Sequence, residues 1–320
     1  MQISRRQFIL LAAAAPAALA LGGCSLGLED KGPIAGRLID AVATTGMVGD
    51  LVTNVGRERV DLTVLMGAGV DPHLFKASER TLRTMERSDC IFYNGLHLEG
   101  GLAFVLEQMG KDQPTVACAE AIPTELLRTP PEFEGAYDPH VWFDISLWQL
   151  ALQRAITGLQ ELDPASADLY AANGEAYHAE LALLEEWVFA QVATVPQERR
   201  VLITAHDAFG YFGARYGFEV YGIQGASTST EAGARDLQKL ADLIAEREIP
   251  AIFVESSVPR RTVEALREAV QARGFDVIIG GELYSDAMGD RGTFEGTYIG
   301  MFQANVNTIV NALLGKESHE

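Results

Sequence analysis

The sequence predicts an α/β protein made of two parallel-sheet lobes joined by one long, rigid α-helix. Three observations predict it. Short β-like apolar runs alternate with helical patterns in both halves, as parallel strands with helical crossovers require. The 320 residues suffice for two domains of roughly 100–200 residues each. Between the halves, a helical pattern runs from Ala165 to about Val195 with Gly174 as its one breaker. At ~1.5 Å per residue, ~30 such residues span ~45 Å, more than one small domain needs, so the segment reads as a stiff connector.

The elements follow in order. Met1 to Gly23 reads as an export signal: Arg5 and Arg6, the apolar run from Phe8, and small residues at the end. Ser4 to Leu10 resembles a twin-arginine motif, with ordinary unfolded export the other route. Leu21-Gly22-Gly23-Cys24 resembles a lipobox, which makes Cys24 the expected lipidation site; a free Cys after a simple signal is the plainer alternative. Residues 24–35 then form a lipid-anchored tether.

The amino-terminal lobe is expected over 36–163. Its predicted strands are Leu38 to Ala43, Val60 to Leu65, Cys90 to Tyr93 and Thr115 to Cys118. Helices are predicted from about Val48, near Glu79 to Glu86 and Leu102 to Met109, and at Ser146 to Leu162. The linking helix takes 164–196, with Pro164 at a helix start. The carboxy-terminal lobe, 197–320, repeats the rhythm. Its predicted strands are Val201 to Thr204, Phe218 to Ile223, Ala251 to Val254 and Asp276 to Ile279, and its helices run through Tyr211, Glu231 to Glu246, Arg261 to Arg273 and Thr297 to Leu314. Cys90 and Cys118 read first as small buried hydrophobes; a disulfide between them is the alternative an oxidising compartment permits.

Composition narrows the function. Lys and Arg number 25 against 44 Asp and Glu, a net charge of −19. Nucleic acid is therefore excluded as a partner. No phosphate-cradling glycine loop follows a predicted strand, and neither a GxSxG elbow nor an HExxH helix occurs.

The histidines are more informative. His73 and His140 each end an Asp-Pro-His triplet, where proline stiffens the loop that presents the imidazole. His206 follows a predicted strand of the second lobe, and Asp286 follows another. Two imidazoles from one lobe and an imidazole plus a carboxylate from the other would meet in the interlobe cleft. Donors of this kind suit a borderline divalent cation at ~2.0–2.1 Å. A lone histidine at a strand end is more often structural, and the repeated triplet brings the metal reading level with that one. Glu255 and Asp207 are candidates to support the ligands from behind, or else caps. Trp142 and Phe209 are expected to wall the site. His97 reads as structural, His178 as a surface residue and His319 as part of a frayed tail.

Several stretches carry a resemblance. They are Thr44-Thr45-Gly46, Leu65 to His73, Tyr93 to Glu99, Asp138 to Trp142, Thr204 to Phe212, Ile252 to Ser257 and Ser285 to Gly289. Together they resemble bacterial solute-binding protein family nine, the zinc and manganese receptor lipoproteins of ATP-driven (ABC) importers, nearest to its TroA-type receptors. The resemblance covers about residues 36–315. It implies the same four metal ligands, His73, His140, His206 and Asp286. It also implies an extracytoplasmic, membrane-anchored monomer in the periplasm or on the outer cell face, delivering its cargo to an importer permease with a separate ATPase.

Manganese-selective relatives tend to carry Glu where this chain has His206. Zinc-specific relatives often have a His-rich loop that Arg128 to Tyr137 lacks. Nitrogen donors favour Zn²⁺ over Mn²⁺, so Zn²⁺ is the expected cargo with Mn²⁺ the second choice; a bidentate Asp286 would suit manganese better. The family's linking helix implies modest lobe movement with rearrangement around Asp286. No enzymatic activity is expected. The competing readings are a zinc-dependent hydrolase, with three ligands, a water and a base such as Glu255 or Glu282, and a surface adhesin.

Overall fold

The computed structural model describes residues 32–316 apart from 131–132, 134, 226 and 229–232. The export signal, Cys24, most of the tether and His319 lie outside the described residues. The amino-terminal lobe comprises β1 (Ile39–Ala43), α1 (Gly46–Gly56), β2 (Val60–Val64), α2 (Glu79–Arg87), β3 (Cys90–Tyr93), α3 (Ala103–Met109), β4 (Thr115–Ala117) and α4 (Ile145–Leu162). Its strands are all parallel, in the order β2-β1-β3-β4. Ile39, Ala41 and Ala43 of β1 face one apolar cluster while Val42 faces another. Burial on both faces explains why these strands read as continuous apolar runs.

After α5 (Ala167–Val192), the carboxy-terminal lobe comprises β5 (Val201–His206), α6 (Gly210–Tyr216), β6 (Glu219–Gln224), α7 (Ala234–Arg247), β7 (Ala251–Glu255), α8 (Arg261–Gln271), β8 (Ile278–Leu283) and α9 (Tyr298–Leu314). Here β5 pairs with β6 and β7 with β8, both parallel, and β5 lies beside β7. The resulting order, β6-β5-β7-β8, repeats that of the first lobe. In such sheets the crevice opens beyond the strands' carboxyl ends, where the order reverses. In the second lobe that point lies between β5, which ends at His206, and β7, which ends at Glu255.

The last strand differs from expectation: it begins at Ile278 and continues to Leu283, beyond the predicted end at Ile279. Gly281, at φ 143°, lies opposite a register irregularity between Ile252 and Val254, so the chain bends there and pairs again. A Cβ on Gly281 would stand 2.5 Å from the Thr308 side chain. Periodicity cannot foresee a strand carried through two glycines.

The linking helix α5 is 26 residues long, about 39 Å at the usual rise. Tyr170, Asn173, Gly174, Tyr177, Leu181, Leu184, Val188 and Val192 are buried along it at three- and four-residue spacing. This stripe packs on α1 and α4 of one lobe and on α9 of the other. One apolar cluster accordingly runs through both lobes, from Leu51 in α1 through Trp148 and Leu181 to Phe212 and Phe302. Cys90 and Cys118 are free thiols within it, and burial pushes the Cys90 thiol up to about 12. Among the described residues, no helix is long and apolar enough to cross a membrane.

Candidate metal centre

The two Asp-Pro-His triplets fold alike. In each, the aspartate accepts the backbone N–H of the histidine two residues on, Asp71 from His73 at 2.8 Å and Asp138 from His140 at 3.0 Å. The same Asp138 oxygen also lies 2.8 Å from His140 Nδ1. His206 is gripped likewise from the neighbouring strand. Its backbone N–H donates to Glu255 Oε1 at 2.9 Å, and its Nδ1 lies 2.5 Å from Glu255 Oε2. With Nδ1 engaged on both rings, Nε2 is the nitrogen left to face the cleft.

The donors meet there. His140 Nε2 lies 3.3 Å from Asp286 Oδ1, His206 Nε2 3.1 Å from Asp286 Oδ2, and His73 Nε2 3.3 Å from His140 Nε2. One ligand atom from each of the four residues lies within 4.8 Å of the others. His140, His206 and Asp286 are fully buried, and the His73 side chain is almost so. His206 Nε2 and both Asp286 oxygens are buried and face the site's own donors, with no well-aligned hydrogen bond among the described residues. Such orphaned atoms are costly unless a ligand satisfies them, and three nitrogens with a carboxylate suit a divalent cation. Both carboxylate oxygens face imidazoles, so the donor set is compatible with one or two bonds from Asp286.

The electrostatics follow from burial and facing charge. Burial opposes the charge on His140, but the Asp138 and Asp286 carboxylates outweigh it and hold the imidazolium up to about 9. His206 is likewise raised well above its ordinary value against burial, by Glu255 and Asp286. Among the described residues no carboxylate meets His73 Nδ1; burial, with the other two rings, pulls it down to about 4 despite Asp286. Burial alone would raise Asp286, yet the three imidazoles hold it well below the ordinary carboxylate range.

Of the candidate supporting carboxylates, Glu255 hydrogen-bonds the His206 ring. Asp207 is half-buried, pushed up to about 6 by burial and by Asp138, and among the described residues its carboxylate bonds no ligand imidazole. Sequence reasoning missed Asp138's second bond, to the ring; an aspartate two residues before a ligand was the available signal. Trp142 packs edge-on against His140 and touches Phe143, against which Phe209 packs at a tilt. His97 and His178 are exposed and do not join the four converging donors; His97 lines a cleft of about 760 Å³ with Phe104 and Glu120.

Asp286 sits three residues beyond β8 on a pinned loop. Asn305 of α9 donates to the Tyr284 carbonyl at 2.7 Å and accepts the Tyr284 N–H at 2.8 Å, standing in for a strand partner. The Ser285 and Ser257 hydroxyls lie 2.9 Å apart. At the cleft mouth, the Thr228 hydroxyl of the second lobe donates to Asp71 of the first at 2.5 Å.

Comparison with known proteins shows the family. The chain is 45% identical over 305 residues to the manganese-binding lipoprotein MntA of Bacillus subtilis, covering 95% of this chain and 98% of that one. It is 49% identical over 272 residues to the zinc-binding protein TroA of Treponema pallidum, covering 85% and 88%. The metal ABC transporter substrate-binding lipoprotein SloC of Streptococcus mutans is 26% identical over 285 residues, covering 87% and 91%. The solved structure of the periplasmic zinc-binding protein TroA superimposes with a TM-score of 0.84 at 48% identity, covering 86% of this chain and 99% of that one. The family model described as zinc-uptake complex component A, periplasmic, matches residues 41–312, and this chain belongs to that family.

Proposed function

We propose that this protein is the extracytoplasmic receptor of an ABC metal importer. It captures one divalent cation between its lobes through His73, His140, His206 and Asp286 and delivers it to a membrane permease driven by a cytoplasmic ATPase. The observation that carries this reading is the convergence of three imidazoles and one carboxylate from both lobes, with buried donor atoms otherwise unsatisfied. Zn²⁺ is preferred to Mn²⁺ because three nitrogen donors follow the first-row affinity order. Relatives that carry zinc and manganese names support both metals as cargo. A receptor is favoured over a hydrolase because Asp286 supplies a fourth protein donor, where a catalytic site keeps a position for water.

Isothermal titration of metal-stripped protein tests the reading. One Zn²⁺ per chain, displacing bound Mn²⁺ in competition, is expected. His140→Ala should abolish tight binding while the far-ultraviolet spectrum stays native. Unchanged stoichiometry in that variant would remove His140 from the ligand set, and retention of Mn²⁺ against equimolar Zn²⁺ would reverse the metal assignment. The mature chain is held at the membrane as a monomer through lipidated Cys24; Cys24→Ala should release it in soluble form.

A further inference from the structure

We propose that Trp142 is a latch that sets how long the metal stays bound, by tying the Asp286 loop of one lobe to the His140 segment of the other. This rests on the capture reading above. Trp142 is fully buried two residues after His140, its ring edge-on to the imidazole with centroids 5.3 Å apart. Its indole N–H donates to the carbonyl of Ser285, the residue before Asp286, at 3.1 Å. Its own carbonyl accepts the Tyr298 hydroxyl at 2.6 Å. The Tyr298 backbone N–H in turn donates to Asp50 Oδ1 at 3.3 Å, and the other Asp50 oxygen accepts the Tyr177 hydroxyl of the linking helix. The latch is thus anchored to α1, α5 and α9 at once.

The other restraints described on this loop, from Asn305 and Ser257, belong to the same lobe as Asp286. They hold the loop's shape whether or not it approaches the imidazoles. Trp142 reaches across from the other lobe, so its bond must break when Asp286 withdraws to release the ion. Breaking it strips a buried carbonyl of its donor, which raises the barrier to release and leaves encounter unaffected. Trp142 is therefore a positioning residue that acts through Asp286 without touching the ion.

Stopped-flow release of Zn²⁺ from the loaded mature chain into excess chromogenic chelator tests the proposal, with binding rates measured alongside. Trp142→Phe keeps a ring against His140 and removes the N–H. It should accelerate release about tenfold at unchanged stoichiometry, with the association rate within about twofold of wild type. Trp148 provides the control: it is equally buried, stacks on Tyr298, and its indole N–H has no partner among the described residues. Trp148→Phe makes the same change in volume and should leave release within about twofold. Tyr298→Phe, which frees the Trp142 carbonyl, should accelerate release about threefold, and the double variant Trp142→Phe/Tyr298→Phe should release no faster than Trp142→Phe alone. Unchanged release in Trp142→Phe, or equal acceleration in Trp148→Phe, overturns the latch. Should Trp142→Phe fail to fold, unchanged release in Tyr298→Phe overturns it. Wild-type protein that takes up no Zn²⁺ overturns the capture reading instead.

Discussion

An imidazole must lose its proton before it can bind a cation, and two of the three here are held protonated by their own supporting carboxylates. His140 is held up to about 9 and His206 is raised with it. Loading at neutral pH therefore expels protons, and apparent affinity should rise with pH toward about 9, by about tenfold per pH unit for each proton displaced. Titrations in buffers of different ionisation enthalpy would count those protons; a pH-independent affinity would contradict the assignment. The metal-free protein should behave oppositely. A histidine raised from 6.5 to about 9 contributes stability that is complete below 6.5 and lost as pH rises through 9. His73, held down to about 4, removes stability as pH falls below 6.5. The melting temperature without metal should therefore peak near pH 6.5 and decline by pH 9. Glu255→Gln, which weakens the hold on His206 Nδ1 without removing a donor to the metal, should lower affinity roughly 10–100-fold in a competitive chelator titration. The convergence of the four residues was legible because two of them end a stiffened triplet and the other two stand at or just beyond the carboxyl end of a strand. The bond from Asp138 to the ring was not, since it depends on a turn and a rotamer that position in the chain does not specify.

Element boundaries show the same division. The extent of α5 was legible, because the chain from Ala165 to about Val195 carries no helix breaker except Gly174; the face it buries was not, because apolar residues lie all round it. Why a glycine, Gly174, stands inside that continuous helix was not legible, since the answer lies on α4. A Cβ at Gly174 would stand 2.2 Å from Ile156 Cδ1, so the glycine allows the two helices to cross closely. Gly174→Ala sets a gain of ~1 kcal/mol in helix propensity against an overpacking cost of about 1–3 kcal/mol. Net destabilisation is expected, read as a lower urea midpoint; a higher midpoint would show that Ile156 moves aside freely. The extension of β8 escaped the sequence for a related reason. Its continuation depends on Gly281 against Thr308 and on Asn305 substituting for a strand, both contributed by the following helix. Asn305→Ala leaves the half-buried backbone of Tyr284 without either partner and should cost about 1 kcal/mol in the metal-free protein, measured by denaturant unfolding.

At the scale of the molecule, two α/β lobes of similar design were legible, whereas their matching strand order and a core common to both were not. Periodicity reports which face of a helix is buried and not what buries it. The cluster running from α1 through α5 to α9 makes the lobes energetically one body, and Pro33 onward forms one compact unit. Calorimetry of the metal-free protein should accordingly show a single cooperative transition; two resolved transitions would mean that the lobes unfold independently. Added Zn²⁺ should move that one transition upward with concentration, as binding to the native state alone requires. The placement of α9 has a biosynthetic corollary. Helix α9 is synthesised long after α1, against which it packs, so the nascent amino-terminal half cannot complete that packing until residues 298–314 have emerged.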